Sequence, residues 1–289
     1  MSARAAIFAA LLGIAGASHA SELAYSPDIT GWQEIPVPPK ESPDRLAWIH
    51  KANNNVWVSW KVYLDMAVPE AKLTDPTGRA HDPEPFVAKA DGFEEANRFK
   101  QVDDGWLIGF DHGEFGAALY WFSRDGKSHY LLSNDHVVAF FSLPDGIYAI
   151  QGLAHMAVSS GSIIRIARQT ATARWRTSTV VPLQQAPYAV AVRRDGSLLV
   201  VLSDSLVSVG ADHKINTLIA NAPWDSLYPT SSALLPDESR LYIGMRQFVG
   251  EVNLATNQLR MLIPDRSFLY KLPKAEGKHL RAQQSTMPY

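Results

Sequence analysis

The chain has 289 residues, with 27 Lys and Arg against 29 Asp and Glu and a formal net charge of −2. Neither sign is gathered into a long run, which excludes the footprint of a nucleic-acid binder or of a protein held on an anionic membrane. Cysteine is absent, so there is no disulfide framework, thiolate metal site or cysteine for a lipid anchor, and stability must come from a large core.

Residues 1–20 read as a signal peptide. Met1 to Arg4 give a short basic start, Ala5 to Ala17 an apolar run, and Ser18-His19-Ala20 a small-x-small cleavage site. The apolar run is shorter than the roughly 18 residues that a membrane span needs. The expectation is an exported chain, periplasmic or secreted, without lipid anchor or membrane insertion. Residues 21–289 are expected to form a single domain.

Along the mature chain, Ile29 to Val37 reads as an isolated strand. Ala52-Asn-Asn-Asn-Val-Trp-Val-Ser-Trp60 follows as a degenerate strand pair with an Asn-built turn, opening near Leu46. Val68 to Asn97, rich in Pro, Asp, Glu and Lys, reads as a surface insertion, with room for one helical turn at Asp91–Asn97. Beyond it a motif recurs: an Asp-Gly turn, then a short apolar strand. It appears as Asp104-Gly105-Trp106, Asp145-Gly146-Ile147 and Asp195-Gly196-Ser197, and as Asp237-Glu238-Ser239 without the glycine. The aspartates are spaced about every 40–50 residues, the period of a β-propeller blade.

The best-formed repeat has strands His136–Leu143, Ile147–Gln151, Ser162–Ala167 and Trp175–Leu183, with a long loop at Gly152–Gly161. These runs are rich in Val, Ile, Phe and Tyr and bounded by Asp, Gly, Ser and Pro. Ala118 to Phe122 is continuously apolar, as a sheet buried on both faces requires. Repeats opening near Leu46, Arg98, His136, Ala186 and Tyr228 make five. Ile29–Val37 with Ser267–Leu272 would supply a sixth, composite blade that closes the ring and removes exposed edges. The fold expected is therefore an all-β propeller of six blades, five being the next reading.

The run Ala186-Pro-Tyr-Ala-Val-Ala-Val192, followed by the Asp195-Gly196 turn and Leu198-Leu-Val-Val201, resembles the repeat of NHL and gluconolactonase-like propellers. Members of the second group hold a divalent metal on the propeller axis with Glu, two Asn and Asp. Glu41-Ser-Pro43 and Asn134-Asp135 are similar to two parts of that site. Tyr188 stands where a further asparagine is expected, so the resemblance implies the fold and an incomplete metal site.

In a propeller, the loops between second and third strands share one face with the blade-to-blade connections. Taken in order, these loops carry Asp111, His112 and Glu114, then Gln151 and His155, then Asp204, then Arg246 and Gln247. The connections add Asn134 to His136, Trp224 and Tyr228. Asp111, His112, Glu114, Gln151, His155, Trp224, Tyr228 and Arg246 are thus the candidate ligand-binding residues. Trp224 and Tyr228 are the candidate stacking surfaces for a sugar or peptide. His112, Glu114 and His155 form the one combination with zinc-like donors, two imidazoles and a carboxylate. The serine-elbow, His-Glu-x-x-His, Walker and dinucleotide motifs are all missing.

The leading functional expectation is a non-enzymatic scaffold, without cofactor, that takes a protein, peptide or glycan on the loop-rich face. The alternatives are a metal-dependent hydrolase, lactonase or lyase using a divalent ion, and a structural envelope protein without a ligand.

Overall fold

The computed structural model describes residues 29, 31–54, 59–63, 67–69, 85–156 and 158–264. Residues 1–20, read as a signal peptide, and Ser267–Leu272 lie outside them. The described chain begins with β1 (Gln33–Ile35), α1 (Pro43–Asn54) and the hairpin β2 (Trp60–Val62) and β3 (Ala67–Pro69). Four antiparallel blades follow. The first holds β4 (Arg98–Val102), β5 (Gly105–Asp111), β6 (Ala117–Ser123) and β7 (His129–Ser133). The second holds β8 (Val137–Leu143), β9 (Gly146–His155), β10 (Val158–Ala167) and β11 (Arg176–Leu183). The third holds β12 (Pro187–Val192), β13 (Leu198–Leu202), β14 (Leu206–Val209) and β15 (Ile215–Ile219). The fourth holds β16 (Ser231–Leu234), β17 (Arg240–Gly244), β18 (Val249–Asn253) and β19 (Gln258–Ile263).

Each blade runs in chain order, and the first strands pack in succession, β4 on β8, β8 on β12 and β12 on β16, with β2 next to β16 and β17. This radial stacking of four-stranded antiparallel sheets is β-propeller architecture. The core lies between blades. Between the third and fourth it is built from Leu199, Val201, Leu206, Leu241, Ile243 and Met261, all fully buried.

The Asp-Gly motif works as a turn device. Asp195 Oδ1 accepts the Ser197 amide at 2.9 Å, and Asp237 Oδ1 accepts the Ser239 amide at 3.0 Å, so each aspartate closes its own turn. Gly196 sits at φ 81, a conformation natural to glycine. In the fourth blade Glu238 takes φ 57 instead, and its carboxylate accepts the Arg194 amide of the neighbouring blade at 2.7 Å. That contact stabilises a left-handed glutamate and links two blades.

Four expectations change. Residues 43–54, which cover the expected opening of a degenerate blade near Leu46 and the start of its Asn-built turn, form a helix. Its start signal is Ser42-Pro43-Asp44: the Ser42 hydroxyl accepts the Asp44 amide at 3.1 Å, and proline occupies the first turn. The helix is held because Ile49 is buried and Trp48 stacks on Phe248 at 5.2 Å. Second, the N-terminal strand pairs with a C-terminal one, but β1 adds to β19 as a fifth, outer strand of the fourth blade rather than opening another sheet.

Third, Asp91–Asn97 has no helical turn. Asp91 and Gly92, both at positive φ, make a tight hairpin turn that joins Ala90 to Phe93. Nor is this end of the insertion merely on the surface. Ala88 and Ala90 are buried against Phe110, Tyr120 and Phe122. Fourth, the long loop expected at Gly152–Gly161 is largely strand. β9 and β10 stay paired past Gly152↔Gly161 to His155↔Val158. The two glycines sit where any Cβ would collide with the Pro187 ring, so they admit the next blade's close approach without ending the ladder.

Candidate functional site

The extended β9–β10 hairpin defines the loop-rich face, because it carries His155 up to the turn that ends β5. There Glu114, on a short 3-10 turn (Gly113–Phe115), meets His155: Glu114 Oε2 lies 2.6 Å from His155 Nε2. The two side chains are 43% and 40% exposed. A pair so open to water adds at most about 1 kcal/mol to stability, so it positions the loops more than it stabilises the fold.

Below it lies a second, less exposed pair. Asp111 Oδ1 is 2.9 Å from His136 Nδ1 and also accepts the Gly113 amide at 3.1 Å. The Asp111 carbonyl accepts the Asn97 side-chain amide at 2.9 Å. Asp111 therefore organises the turn from which Glu114 projects. His136, which opens the second blade, belongs to the same constellation.

The other candidates fall differently. His112 turns away from the Glu114–His155 pair. Its Nε2 lies 3.4 Å from the Glu95 carbonyl and its ring is 5.4 Å from that of Phe93. Among the described residues no three or more His, Asp or Glu side chains are grouped as a metal would require. Gln151 donates from Nε2 to Ser162 Oγ at 2.7 Å, across the root of the hairpin. Its amide braces β9 to β10 below the rim.

Trp224, expected as a stacking surface, is completely buried, and its indole N–H donates to the Leu202 carbonyl at 2.9 Å. It belongs to the inter-blade core with Leu227 and Phe248, and Trp48 of α1 packs against the same cluster. Tyr228 is half-exposed, but the Arg246 guanidinium lies 4.2 Å from its ring centre. One face of that ring is therefore already covered by a cation. Arg246 is tied down at its backbone, where its amide donates to the Leu227 carbonyl at 2.9 Å. The candidates thus form two groups: Asp111, Glu114, His136 and His155 over the first and second blades, and Tyr228 with Arg246 at the fourth.

Sequence reasoning passed over three apolar side chains. Phe115 is 84% exposed, Met156 93% and Val158 61%. They flank Glu114 and His155 in the chain, on the 3-10 turn and at the hairpin tip. The available signal was their position: apolar residues at loop tips, where turn chemistry favours Gly, Asn, Asp and Ser. Between the second and third blades this same face also opens into a cavity of about 520 Å³, with Gln184, Gln185, Asp204, Thr217 and Asn221 on its walls. Among the described residues no helix is long and apolar enough to cross a membrane.

No protein-family model matches the sequence, and no curated protein sequence matches it either. Solved structures do. A streptogramin B lyase is similar at 12% identity and TM-score 0.41, over 61% of this chain and 56% of that one. A gluconolactonase of Xanthomonas campestris is similar at 15% identity and TM-score 0.41, over 65% and 63%. A virginiamycin B lyase of Staphylococcus aureus is similar at 18% identity and TM-score 0.38, over 57% and 54%. The matched part spans less than two thirds of each of those chains. These are likenesses of chain path among propeller proteins.

Proposed function

We propose that the chain is an exported β-propeller that acts as a binding scaffold for a protein or peptide, taken on the loop-rich face over the first and second blades. The observation that carries this reading is the exposure of Phe115, Met156 and Val158 beside the Glu114–His155 pair. Large apolar side chains held out at loop tips, rimmed by charge, are the composition of a recognition patch. A glycan is the weaker choice of ligand, since Trp224 is buried and Tyr228 has one face against Arg246. In this reading the first twenty residues direct export and the propeller has six blades.

A second reading has its own support. His136 beside Asp111 and His155 beside Glu114 place two imidazoles each against a carboxylate, the arrangement of a general base in a hydrolase or lyase.

Photo-crosslinking in the exporting cell tests the scaffold. A benzophenone amino acid at Val158 is expected to give one discrete adduct, and the same probe at Ile215, exposed on β15, none. Phe115→Ser with Met156→Ser should abolish the adduct while leaving the melting temperature unchanged. No adduct at Val158, or an adduct indifferent to those two substitutions, rejects the binding patch.

A further inference from the structure

We propose that the wedge between the second and third blades, at the end away from the loop-rich face, binds a small amphipathic anion: an alkyl carboxylate of about eight to ten carbons or a molecule of that chemistry. A cavity of about 390 Å³ opens there, among the Pro144–Asp145 turn, the Arg193–Gly196 turn and the Gly210–His213 loop. Its size is in the ordinary range for small-ligand sites.

The space has a sequence cause. Propeller sheets diverge outward, so large side chains must fill the wedge between them. Between the first and second blades, at this same end, Trp121 stacks on Tyr130 at 5.1 Å, and Trp175 donates its amide to the Tyr130 hydroxyl at 2.9 Å. Between the second and third blades the apolar walls are mostly short, Val180, Val181, Val192, Leu198 and Val209, with the ring of Tyr148 among them. Short aliphatic side chains leave a cleft that is apolar and unfilled.

Its polar groups differ in how far they are already satisfied. Asp195 accepts the Ser197 hydroxyl at 2.6 Å and amide at 2.9 Å, which hold its carboxyl below the ordinary carboxylate range. Asp145 accepts the Tyr148 hydroxyl at 2.7 Å. The Arg194 guanidinium donates to the Pro236 carbonyl. Arg193 is different. Its nearest carboxylate, Glu238, is 3.9 Å away, beyond hydrogen-bonding distance, and among the described residues its buried Nε has no acceptor. A guanidinium with an unpaired Nε beside an apolar cleft suits a carboxylate head with a hydrocarbon body.

Calorimetric titration of the mature protein with decanoate, octanoate and decanol tests this. Decanoate is expected to bind, with octanoate weaker by about fourfold for each methylene removed, and decanol at least tenfold weaker than decanoate. Arg193→Gln should remove the preference for the acid over the alcohol. Val192→Trp, on the exposed rim of the cleft, should block both without entering the core. Equal binding of acid and alcohol, no binding of either at millimolar concentration, or undiminished binding by a folded Val192→Trp variant each overturns the proposal.

Discussion

Asp104 is expected to be one of the most sensitive single positions for stability, because it ties two blades together with one carboxylate. Its Oδ1 accepts the indole N–H of Trp121 at 3.1 Å and of Trp175 at 3.0 Å, and its Oδ2 accepts from Arg168 at 2.6 Å. Arg168, only 10% exposed, lies 4.8 Å from the Trp175 ring centre and also pairs with Asp103. Asp104→Ala strands two indole donors, at about 1 kcal/mol each, and removes one of the two carboxylates that neutralise Arg168. Since the Asp104 side chain is 38% exposed, the ion pair is screened, and its loss adds about 1 kcal/mol rather than the several expected of a buried pair. The sum is about 3 kcal/mol, a fall in melting temperature of about 6–12 °C at roughly 2–4 °C per kcal/mol. Asp104→Asn keeps an acceptor for the indoles and loses the charge, so it should cost about 1 kcal/mol. Urea melts followed by tryptophan fluorescence read both variants. A loss below about 0.5 kcal/mol for the alanine variant, or equal losses for the two, refutes the shared-acceptor reasoning.

Two further outcomes are expected. Leu199→Ala, at a fully buried position in the core between the third and fourth blades, should cost about 2–5 kcal/mol in the same melts, and a loss under about 0.5 kcal/mol would contradict its packing. Tyr120 is buried and its hydroxyl donates to Asp91 at 2.7 Å; burial first, then the Asp91 carboxylate, push its pKa up to about 12. An unfolded tyrosine titrates near 10, so this contribution to stability is complete below about pH 10 and is lost as pH rises toward about 12. Ultraviolet titration of wild type against Tyr120→Phe should therefore show the missing phenol ionising near pH 12, and near a lower pH once Asp91→Asn is introduced. A difference curve centred at pH 10 would show that the hydroxyl is neither buried nor paired.

The parts of this fold that were legible in the sequence are those set by local chemistry. Repeats read near Arg98, His136, Ala186 and Tyr228 correspond to blades whose first strands open at Arg98, Val137, Pro187 and Ser231. They could be read because Asp195 and Asp237 close their own turns and the second strands, such as Leu198–Leu202, are apolar and buried along their length. The helix at residues 43–54 was missed for a related reason. Asn53 to Asn55 carry a strong turn propensity, whereas the opposing signal, Ser42-Pro43-Asp44, lies at the far end of the helix. What holds the helix, Trp48 on Phe248, is a contact across two hundred residues that no window of sequence contains.

The candidate site divides along the same line. Radial order alone assigns Glu114 and His155 to one face, since both follow second strands of adjacent blades. Their contact at 2.6 Å depends on hairpin length, and that length depends on Gly152 and Gly161, which read as loop residues in isolation. They are glycines because a Cβ at either would meet both a carbonyl of the facing hairpin strand, Ser160 or Gln151, and the Pro187 ring of the next blade, the last a tertiary cause with no local trace. Trp224 shows the converse: its position in a connection argued for exposure, while α1, the misread element, packs against the cluster that buries it. Helix α1 and the β9–β10 hairpin together give the loop-rich face its two halves. Over the fourth blade Trp48 adds to the buried cluster. Over the first and second blades the extended hairpin and the 3-10 turn leave Phe115 and Met156 in solvent. Exposed apolar area costs solubility unless something covers it, which is why the face over Glu114 and His155, rather than the propeller axis, is where a partner is expected.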